Sequence, residues 1–147
     1  MSKITVKQIS NPEQLKEAFT IRRKVFVEEQ QVPANEEYDE WEESATHFIA
    51  YMNEVPCGTA RWRFTNKGIK LERFAVLQEA RGSGLGQALV AKVLESISNA
   101  PGASGKQLYL HAQLPAQSLY QRFGFKAEGE QFDECGIQHY LMKKANE

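Results

Sequence analysis

The sequence contains one run with the composition of an anion-binding loop, Arg81-Gly82-Ser83-Gly84-Leu85-Gly86. This run lies between a β-rich segment that ends at Leu77 and a helical stripe of apolar residues that begins at Leu85. Glycines let the backbone approach an anion closely, and the N–H groups of the loop and of the first helical turn then point at its negative charge. The order strand, glycine loop, helix predicts a site for a pyrophosphate group.

Two common nucleotide-binding loops fit this run poorly. It lacks the Gly-Lys-Ser/Thr ending of a P-loop. Its G-x-G-x-G spacing, with no βαβ unit around it, also differs from the G-x-G-x-x-G pattern of dinucleotide-binding folds. A glycine turn with a purely structural role is the remaining alternative.

Single titratable side chains are the next candidates for chemistry. Glu72 falls on the strand face predicted for Phe74 and Val76, and a carboxyl group in apolar surroundings has a raised pKa that suits a general base or a counter-ion for an ammonium group. Its alternative role is a structural salt bridge.

His139 lies among apolar residues of the last predicted strand, where it is either a core residue or a base that works near neutral pH. The other histidines, His47 and His111, are secondary candidates.

The two cysteines, Cys57 and Cys135, do not form a metal-binding or redox motif. We expect free thiols in a reducing, cytoplasmic compartment and no bound metal. Neither cysteine has a base beside it in the sequence, which disfavours a covalent thiol intermediate. No signal segment or membrane-spanning apolar run is present in the sequence, so we expect no membrane partner.

Charge is unevenly distributed along the chain although the net charge is only −1. This net charge provides no cationic field for a nucleic-acid backbone, so we expect no nucleic-acid partner. Residues 28–43, which we call the acidic segment, contain eight acids and no Lys or Arg, and the rest of the chain is therefore basic. The acidic segment is either a solvated face or a lip that attracts a cationic substrate.

The length of 147 residues is typical of one domain, which we expect to cover residues 1–147. Apolar spacing predicts a first strand over 4–9, and Asn11-Pro12 predicts the start of a helix that runs to about residue 29. Further strands are predicted at 47–52, 58–64, 69–77, 107–111, 125–128 and 136–143, with helices at 85–97 and 116–123. This order predicts a mixed sheet with helices packed on its faces.

Residues 71–77 (LERFAVL) are followed by the glycine loop, and residues 116–125 (AQSLYQRFGF) combine Ala-x-x-Leu-Tyr with a later Gly-Phe. The first segment resembles motif A, Arg/Gln-x-x-Gly-x-Gly/Ala, and the second resembles motif B, of the GNAT superfamily of acetyltransferases. Residues 23–33 and the ending Gln138-His139-x-x-Met142 also resemble a small bacterial branch that includes glyphosate N-acetyltransferase-type enzymes. The resemblance implies a single-domain α+β fold, with a mostly antiparallel mixed sheet, helices on both faces and a splay between strands 4 and 5.

The resemblance implies acetyl-CoA as the acetyl donor. The pantetheine arm would pair with the backbone of Phe74, Ala75 and Val76, as a peptide adds to a sheet edge. The family often has Asn three residues before the motif B alanine, where this chain has Gln113. The pyrophosphate would lie on the loop framed by Arg81, against the amides of Gly82, Ser83, Gly84, Leu85 and Gly86.

The resemblance also implies residues for proton transfer. Tyr120 matches the family tyrosine that protonates the departing CoA thiolate, although a tyrosine on a short helix can also serve only packing. Some members have a glutamate base on the strand of Glu72, and the bacterial branch uses the histidine at the position of His139 as a base toward its amine.

Three arginines, Arg22, Arg23 and Arg73, are candidates to clamp a carboxylate or phosphonate of the acceptor. Their alternative role is ion pairing with the acidic segment. An anion clamp together with an acidic lip would favour a zwitterionic acceptor, such as an amino acid derivative, over a polyamine.

These inferences predict an N-acetyltransferase that moves acetyl from acetyl-CoA to a primary amine of a small molecule by direct attack in a ternary complex. A backbone N–H near Val76 would stabilise the oxyanion. Two alternatives stay open: a CoA-binding regulatory or interaction module on the same scaffold, and an acetyltransferase for protein or peptide amines. A homodimer is compatible with the sequence.

Overall fold

The chain folds around one seven-stranded sheet in a computed structural model that describes residues 3–146. The strands are β1 (Ile4–Gln8), β2 (Thr46–Met52), β3 (Val55–Thr65), β4 (Gly68–Val76), β5 (Leu108–Gln113), β6 (Lys126–Glu134) and β7 (Ile137–Lys144). They are ordered β1-β2-β3-β4-β5-β7-β6, and every neighbouring pair is antiparallel except the parallel pair of β4 and β5. The predicted mixed, mostly antiparallel sheet is confirmed.

Helices cover both faces of this sheet. They are α1 (Pro12–Arg22), α2 (Ala34–Glu37), α3 (Leu85–Ser98) and α4 (Gln117–Gln121). Successive side chains of β2 face opposite sides of the sheet and belong to two separate apolar clusters. Phe48 and Ala50 pack in the cluster that contains the buried face of α3, whereas Ile49 packs with Ile21 and Val25. The predicted α+β class with helices on both faces is therefore confirmed.

The first helix begins where the sequence predicts and then changes type. The Asn11 side-chain oxygen accepts a hydrogen bond from the Gln14 N–H at 2.8 Å, and Pro12 is the first helical residue. The segment Arg23–Glu29 continues as a π-helix, in which the N–H of Gln30 donates to the carbonyl of Val25 at 3.0 Å. The predicted single helix to about residue 29 is thus α-helical only to Arg22.

The sheet splays between β4 and β5. The two strands pair only at Ile69 with Leu108 and at Lys70 with Tyr109. A bulge bends β4 just beyond that point, because Thr59 of β3 faces Ala75 whereas Arg61 faces Glu72. The residue at the bulge is Arg73, whose φ of +57° lies in the left-handed region. The splay implied by the family resemblance is confirmed, and it leaves one edge of β4 open.

The hairpin of β6 and β7 differs most from the sequence prediction. β6 extends to Glu134, whereas the apolar pattern predicts a strand of only four residues. An irregularity between Glu128 and Phe132 interrupts the pairing, which resumes at Phe132 opposite His139. The hairpin therefore carries Glu134 and the following turn to the splay. Within residues 3–146, no helix combines the length and apolar character needed to cross a membrane.

Candidate active site

The splay opens a cavity of about 630 Å³. Its walls come from the edges of β4 and β5, from α2 and the π-helical segment, and from the β6–β7 turn. Arg22, Arg23 and the loop from Gly82 to Gly86 do not line it, although the loop follows directly on Arg81, which does. The predicted site residues that line the cavity are Glu72, Arg73, Phe74, Ala75, Val76, Arg81, Tyr120 and His139.

The glycine loop has the conformation of an anion cradle. Gly82 and Gly84 have φ angles of +79° and +92°, which side-chain-bearing residues rarely adopt. A Cβ at Gly82 would meet no heavy atom within 4 Å, and one at Gly84 would meet only Gln87 Oε1 at 4.0 Å. No side chain caps α3, and in the described part of the chain the N–H groups from Gly82 to Gly86 have no hydrogen-bond acceptor. The loop therefore offers open space and unpaired donors that fit a pyrophosphate.

Arg81 fixes the loop rather than leaving its charge free. Its Nη1 and Nη2 each lie 2.7 Å from a carboxylate oxygen of Glu29, and its Nε donates to the carbonyl of Val76 at 3.0 Å. These contacts join the start of the loop to the π-helical segment and to the end of β4. The role of Arg81 as a frame of the loop agrees with this geometry.

Glu72 lies on the opposite strand face from the one predicted. The bulge at Arg73 inserts one residue, so Phe74 and Val76 pack against the apolar cluster on the α3 side while Glu72 faces the other way. Burial alone would raise the pKa of the Glu72 carboxyl. Contacts from Arg61 at 2.5 Å, Arg63 at 2.7 Å and Lys70 at 3.3 Å instead hold that pKa below its usual value. The predicted raised pKa is wrong, and the salt-bridge alternative describes Glu72.

Buried ion pairs hold the acidic segment onto α1 and β3. Arg22 pairs with Glu37 at 2.5 Å and Glu42 at 2.7 Å, and Arg61 pairs with Glu42 at 2.8 Å and Asp39 at 2.6 Å. The two guanidinium groups are almost fully buried. Burial would raise the pKa of Asp39, but hydrogen bonds from Arg61 lower it to about 2. The acidic segment is thus a partner of arginines, with part of its charge neutralised.

The predicted arginine clamp is largely taken up by these contacts. Arg22 is 1% exposed and its donors are used by Glu37 and Glu42, so the prediction that it binds acceptor is wrong. Arg23 is exposed outside the cavity and pairs with Glu28 at 3.5 Å, so it does not reach the site either. Arg73 does line the cavity, but it donates to the Glu37 carbonyl at 3.0 Å and pairs with Asp39 at 3.1 Å. None of the three is a free anion clamp.

We expect Arg61→Met to lower the free energy of unfolding by about 3–5 kcal/mol, since removing one partner of a buried pair leaves uncompensated buried charge. Here Glu42, Glu72 and Asp39 would each lose the cationic partner that Arg61 provides and would keep only their remaining cations. Urea denaturation measures the effect. Arg23→Met is the matched control and should change the free energy by about 1 kcal/mol or less, because the Arg23–Glu28 pair is exposed. Equal losses in the two variants would contradict this description of the network.

Tyr120, on α4, places a protonated phenol at the cavity. Its ring is buried edge-to-face against Phe74 at 5.5 Å and Phe125 at 6.3 Å between ring centroids. Burial raises the pKa of the phenol above its ordinary value. No hydrogen bond occupies the hydroxyl among residues 3–146, so the packing alternative and a proton-donor role are compatible in one side chain.

His139, on β7, lines the cavity, and its two ring nitrogens lie near different groups: Nδ1 near the Ile137 backbone and Nε2 near Glu134. Nδ1 lies 2.8 Å from the carbonyl oxygen of Ile137, which can only accept, so Nδ1 carries a proton. The ring stacks on Phe132 at 5.8 Å between centroids. In the neutral ring the lone pair is therefore on Nε2. A general base accepts a proton on such a lone pair.

Glu134, which no pattern in the sequence singles out as a site residue, lies between two histidines. His111 Nδ1 is 2.9 Å from Glu134 Oε2, and His139 Nε2 is 3.9 Å from Glu134 Oε1. The hydrogen bond from His111 is the main reason that the pKa of the Glu134 carboxyl is lowered. The only sequence signal is that Glu134 follows Phe132 with strand spacing, in a segment otherwise too polar to predict as a strand.

His47 and the two cysteines lack the properties of catalytic groups. His47 is buried beside Glu42, whose carbonyl oxygen lies 2.6 Å from Nε2, and burial lowers its pKa. Burial also raises the pKa of the Cys57 thiol. Cys135 lines the cavity, but its Sγ donates to a Glu36 carboxylate oxygen at 3.1 Å, which raises the pKa of the thiol to about 11. Both thiols are therefore poor nucleophiles near neutral pH.

Gln113, at the position where the family often has Asn, also lines the cavity. Its side-chain amide exchanges two hydrogen bonds with that of Gln30, at 3.0 and 3.3 Å. The pair links the end of β5 to the end of the π-helical segment. Within residues 3–146, no group of three or more His, Cys, Asp or Glu side chains is arranged to hold a metal ion.

The fold combines a seven-stranded sheet, a β4–β5 splay and a glycine loop at the start of α3. These are the features implied by the resemblance to CoA-dependent acetyltransferases. The family model described as "Acetyltransferase (GNAT) domain" matches residues 6–146. The chain belongs to this family, whose members use acetyl-CoA.

Individual relatives agree with this assignment. An uncharacterised N-acetyltransferase of Bacillus subtilis, YjcF, is 43% identical over 135 residues, which cover 91% of this chain and 94% of YjcF. The crystal structure of an acyl-CoA N-acyltransferase from Pseudomonas aeruginosa superimposes with a TM-score of 0.82 at 26% identity, over 97% of this chain and 99% of that chain. The crystal structure of Escherichia coli ElaA has a TM-score of 0.80 at 26% identity, over 98% of this chain and 100% of that chain.

Proposed function

We propose that this chain transfers the acetyl group of acetyl-CoA to a primary amine of a small molecule, by direct attack in a ternary complex. One observation carries the proposal: the open edge of β4, Tyr120 and His139 line a single cavity. A donor site, a proton donor and a proton acceptor are the three parts that such a transfer requires.

The donor side of the site uses backbone groups. The amides from Gly82 to Gly86 would hold the pyrophosphate, and the edge of β4 at Phe74, Ala75 and Val76 would hold the pantetheine arm. Acetyl-CoA supplies an activated thioester. A backbone N–H near Val76 would stabilise negative charge on the acetyl oxygen.

Two side chains move protons in this proposal. Nε2 of His139 accepts a proton from the acceptor's ammonium group, which makes the amine nucleophilic. Tyr120 donates its phenolic proton to the sulfur that leaves. Glu72 has no part in proton transfer, because its carboxylate is held by Arg61, Arg63 and Lys70. It serves instead to hold β3 and β4 together at the bulge.

The walls of the cavity favour a small acceptor over a protein. Cys135, in the β6–β7 turn, contacts Glu36 of α2 at 3.1 Å, so two chain segments from opposite sides of the splay meet at the acceptor end. A polypeptide substrate would need that contact to open. A small amine would not.

A thiol-release assay tests this function. The protein is given acetyl-CoA with alkyl amines, amino acids, a polyamine and short peptides, and free thiol is measured. We expect turnover with at least one small amine, and His139→Asn should lower kcat/KM about 10²-fold or more without changing CoA affinity. Turnover with peptides alone would overturn the small-molecule acceptor. CoA binding without turnover for any amine would favour the binding module instead.

A further inference from the structure

Glu134 and His139 present two hydrogen-bond acceptors to each other inside the cavity. Glu134 Oε1 lies 3.9 Å from His139 Nε2. Because Nδ1 of His139 donates to Ile137, the neutral ring has its lone pair at Nε2, and an ionised carboxylate has no proton to offer. Among residues 3–146, no protein donor lies between these two acceptors, and the Glu134 side chain is 43% exposed, so a group that enters from solvent can reach it.

The carboxylate of Glu134 is held in place and ionised. Its Oε2 accepts from His111 Nδ1 at 2.9 Å, and that hydrogen bond lowers its pKa. In the described part of the chain nothing donates a hydrogen bond to Oε1. The other titratable groups that face Glu134 are Lys70 of β4 and the neighbouring Cys135. Lys70 pairs with Glu72 at 3.3 Å, so it leaves Oε1 available.

We propose that Glu134 Oε1 and His139 Nε2 together bind the acceptor's ammonium group. This inference rests on the proposed function. A nitrogen that makes hydrogen bonds of ordinary length, about 2.8 Å, can bridge two atoms at the observed separation. Glu134 is thereby a substrate-binding residue, and His111 positions it.

The charges around the cavity also exclude one acceptor class. The four cationic residues that line it, Arg63, Lys70, Arg73 and Arg81, each pair with a carboxylate of the protein. A carboxylate next to the acceptor's amine would therefore meet no free cation and would lie close to Glu134. The acceptor is a cationic amine without an adjacent carboxylate, which replaces the zwitterionic acceptor expected from an arginine clamp.

The proton transfers balance in this arrangement. The ammonium group gives one proton to Nε2 of His139, and the resulting imidazolium faces the Glu134 carboxylate. The nitrogen lone pair then forms the bond to the acetyl carbon while the bond from that carbon to sulfur breaks. Tyr120 gives its proton to the sulfur and regains one, through solvent, from the second N–H of the amine. One proton is released overall.

Glu134→Gln tests the inference with three aromatic probes: benzylamine, which is cationic near neutral pH, aniline, which is neutral, and phenylalanine, which adds a carboxylate. We expect wild-type protein to acetylate benzylamine in preference to phenylalanine. The variant should raise the KM for benzylamine about 10- to 100-fold, as for loss of a hydrogen bond to a charged group, and the KM for aniline by less than about threefold.

Glu128→Gln is the matched control. Glu128 is on the same strand as Glu134 but lies outside the cavity, where it pairs with Lys143 at 2.9 Å. Its substitution by Gln removes the same charge. Its KM for benzylamine should be that of the wild type. An unchanged KM for benzylamine in Glu134→Gln, or a wild-type preference for phenylalanine, would overturn the inference.

A second measurement separates this inference from the proposed function. Nitrogen NMR of the imidazole rings, with the His139 signals assigned through His139→Asn, is recorded as benzylamine is added to the CoA-bound protein. The Nε2 signal should shift in wild-type protein and in Glu128→Gln, and not in Glu134→Gln. A shift without any turnover would refute the proposed function alone, whereas turnover without the shift would refute the ammonium site alone.

Discussion

Gly84→Asp should weaken the affinity for CoA by about 10²-fold or more, while the chain stays folded. The substitution places a negative charge where the amides before α3 would meet a pyrophosphate. Like charges brought together in a binding site cost several kcal/mol. Asp is one of the few residues that tolerate a positive φ such as the +92° of Gly84, so the fold should survive. Titration calorimetry with CoA measures the loss.

Gly102→Asp controls for the effects of charge and backbone. Gly102 has a φ of +81°, and a Cβ there would meet no heavy atom within 4 Å, but it lies in the turn after α3, at the far end of the helix from the loop. Its CoA affinity should match that of the wild type. Unchanged affinity in a folded Gly84→Asp protein would remove the glycine loop from the donor site.

Tyr120→Phe should lower kcat by a factor on the order of 10²–10⁴, the usual contribution of a positioned acid, with CoA affinity retained. The substitution keeps the ring that packs on Phe74 and Phe125 and removes only the hydroxyl. Single-turnover kinetics with benzylamine isolate the chemical step from product release.

Tyr109→Phe is the matched control for removal of a tyrosine hydroxyl. Tyr109 is a buried residue of β5 whose hydroxyl lies 2.7 Å from Thr65 Oγ1, and it does not line the cavity. Loss of the Tyr109 hydroxyl should leave the single-turnover rate unchanged. Full activity in Tyr120→Phe would leave Tyr120 with a packing role only.

Features that are determined by residues close together along the chain could be predicted from the sequence. The start of α1 at Pro12 follows from the hydrogen bond of one Asn side chain to the amide three residues later. The glycine loop follows from the need for positive φ at Gly82 and Gly84 beside a helix terminus. Both are decided within a few residues of chain.

The face of Glu72 could not be predicted because one bulge reverses it. Alternation in residues 69–77 contains no sign that Arg73 adopts a positive φ and inserts an extra residue opposite Ala60. Beyond the bulge, every side chain changes face. The salt bridges of Glu72 follow from this change, since they place its carboxylate beside Arg61 and Arg63 rather than apolar residues.

Long-range pairing hides the remaining site residues. The acidic segment and the arginines are visible as charges, but only the fold brings Arg22 and Arg61 to the same carboxylate of Glu42. Glu134 is hidden for a similar reason, because β6 beyond Glu128 is polar and is held by its pairing with β7. Contacts between distant segments leave no local pattern in the sequence.

Direct transfer of acetyl from donor to amine is tested most directly by intact-mass measurement in a single turnover. Protein in excess is mixed with acetyl-CoA, first alone and then with benzylamine, and the masses of protein and product are followed together with free thiol. We expect no acetylated protein at any time, and N-acetylbenzylamine in amounts equal to the thiol released only after the amine is added. An acetylated protein that forms without amine, at Cys135 or elsewhere, and then passes its acetyl group to benzylamine would contradict the account.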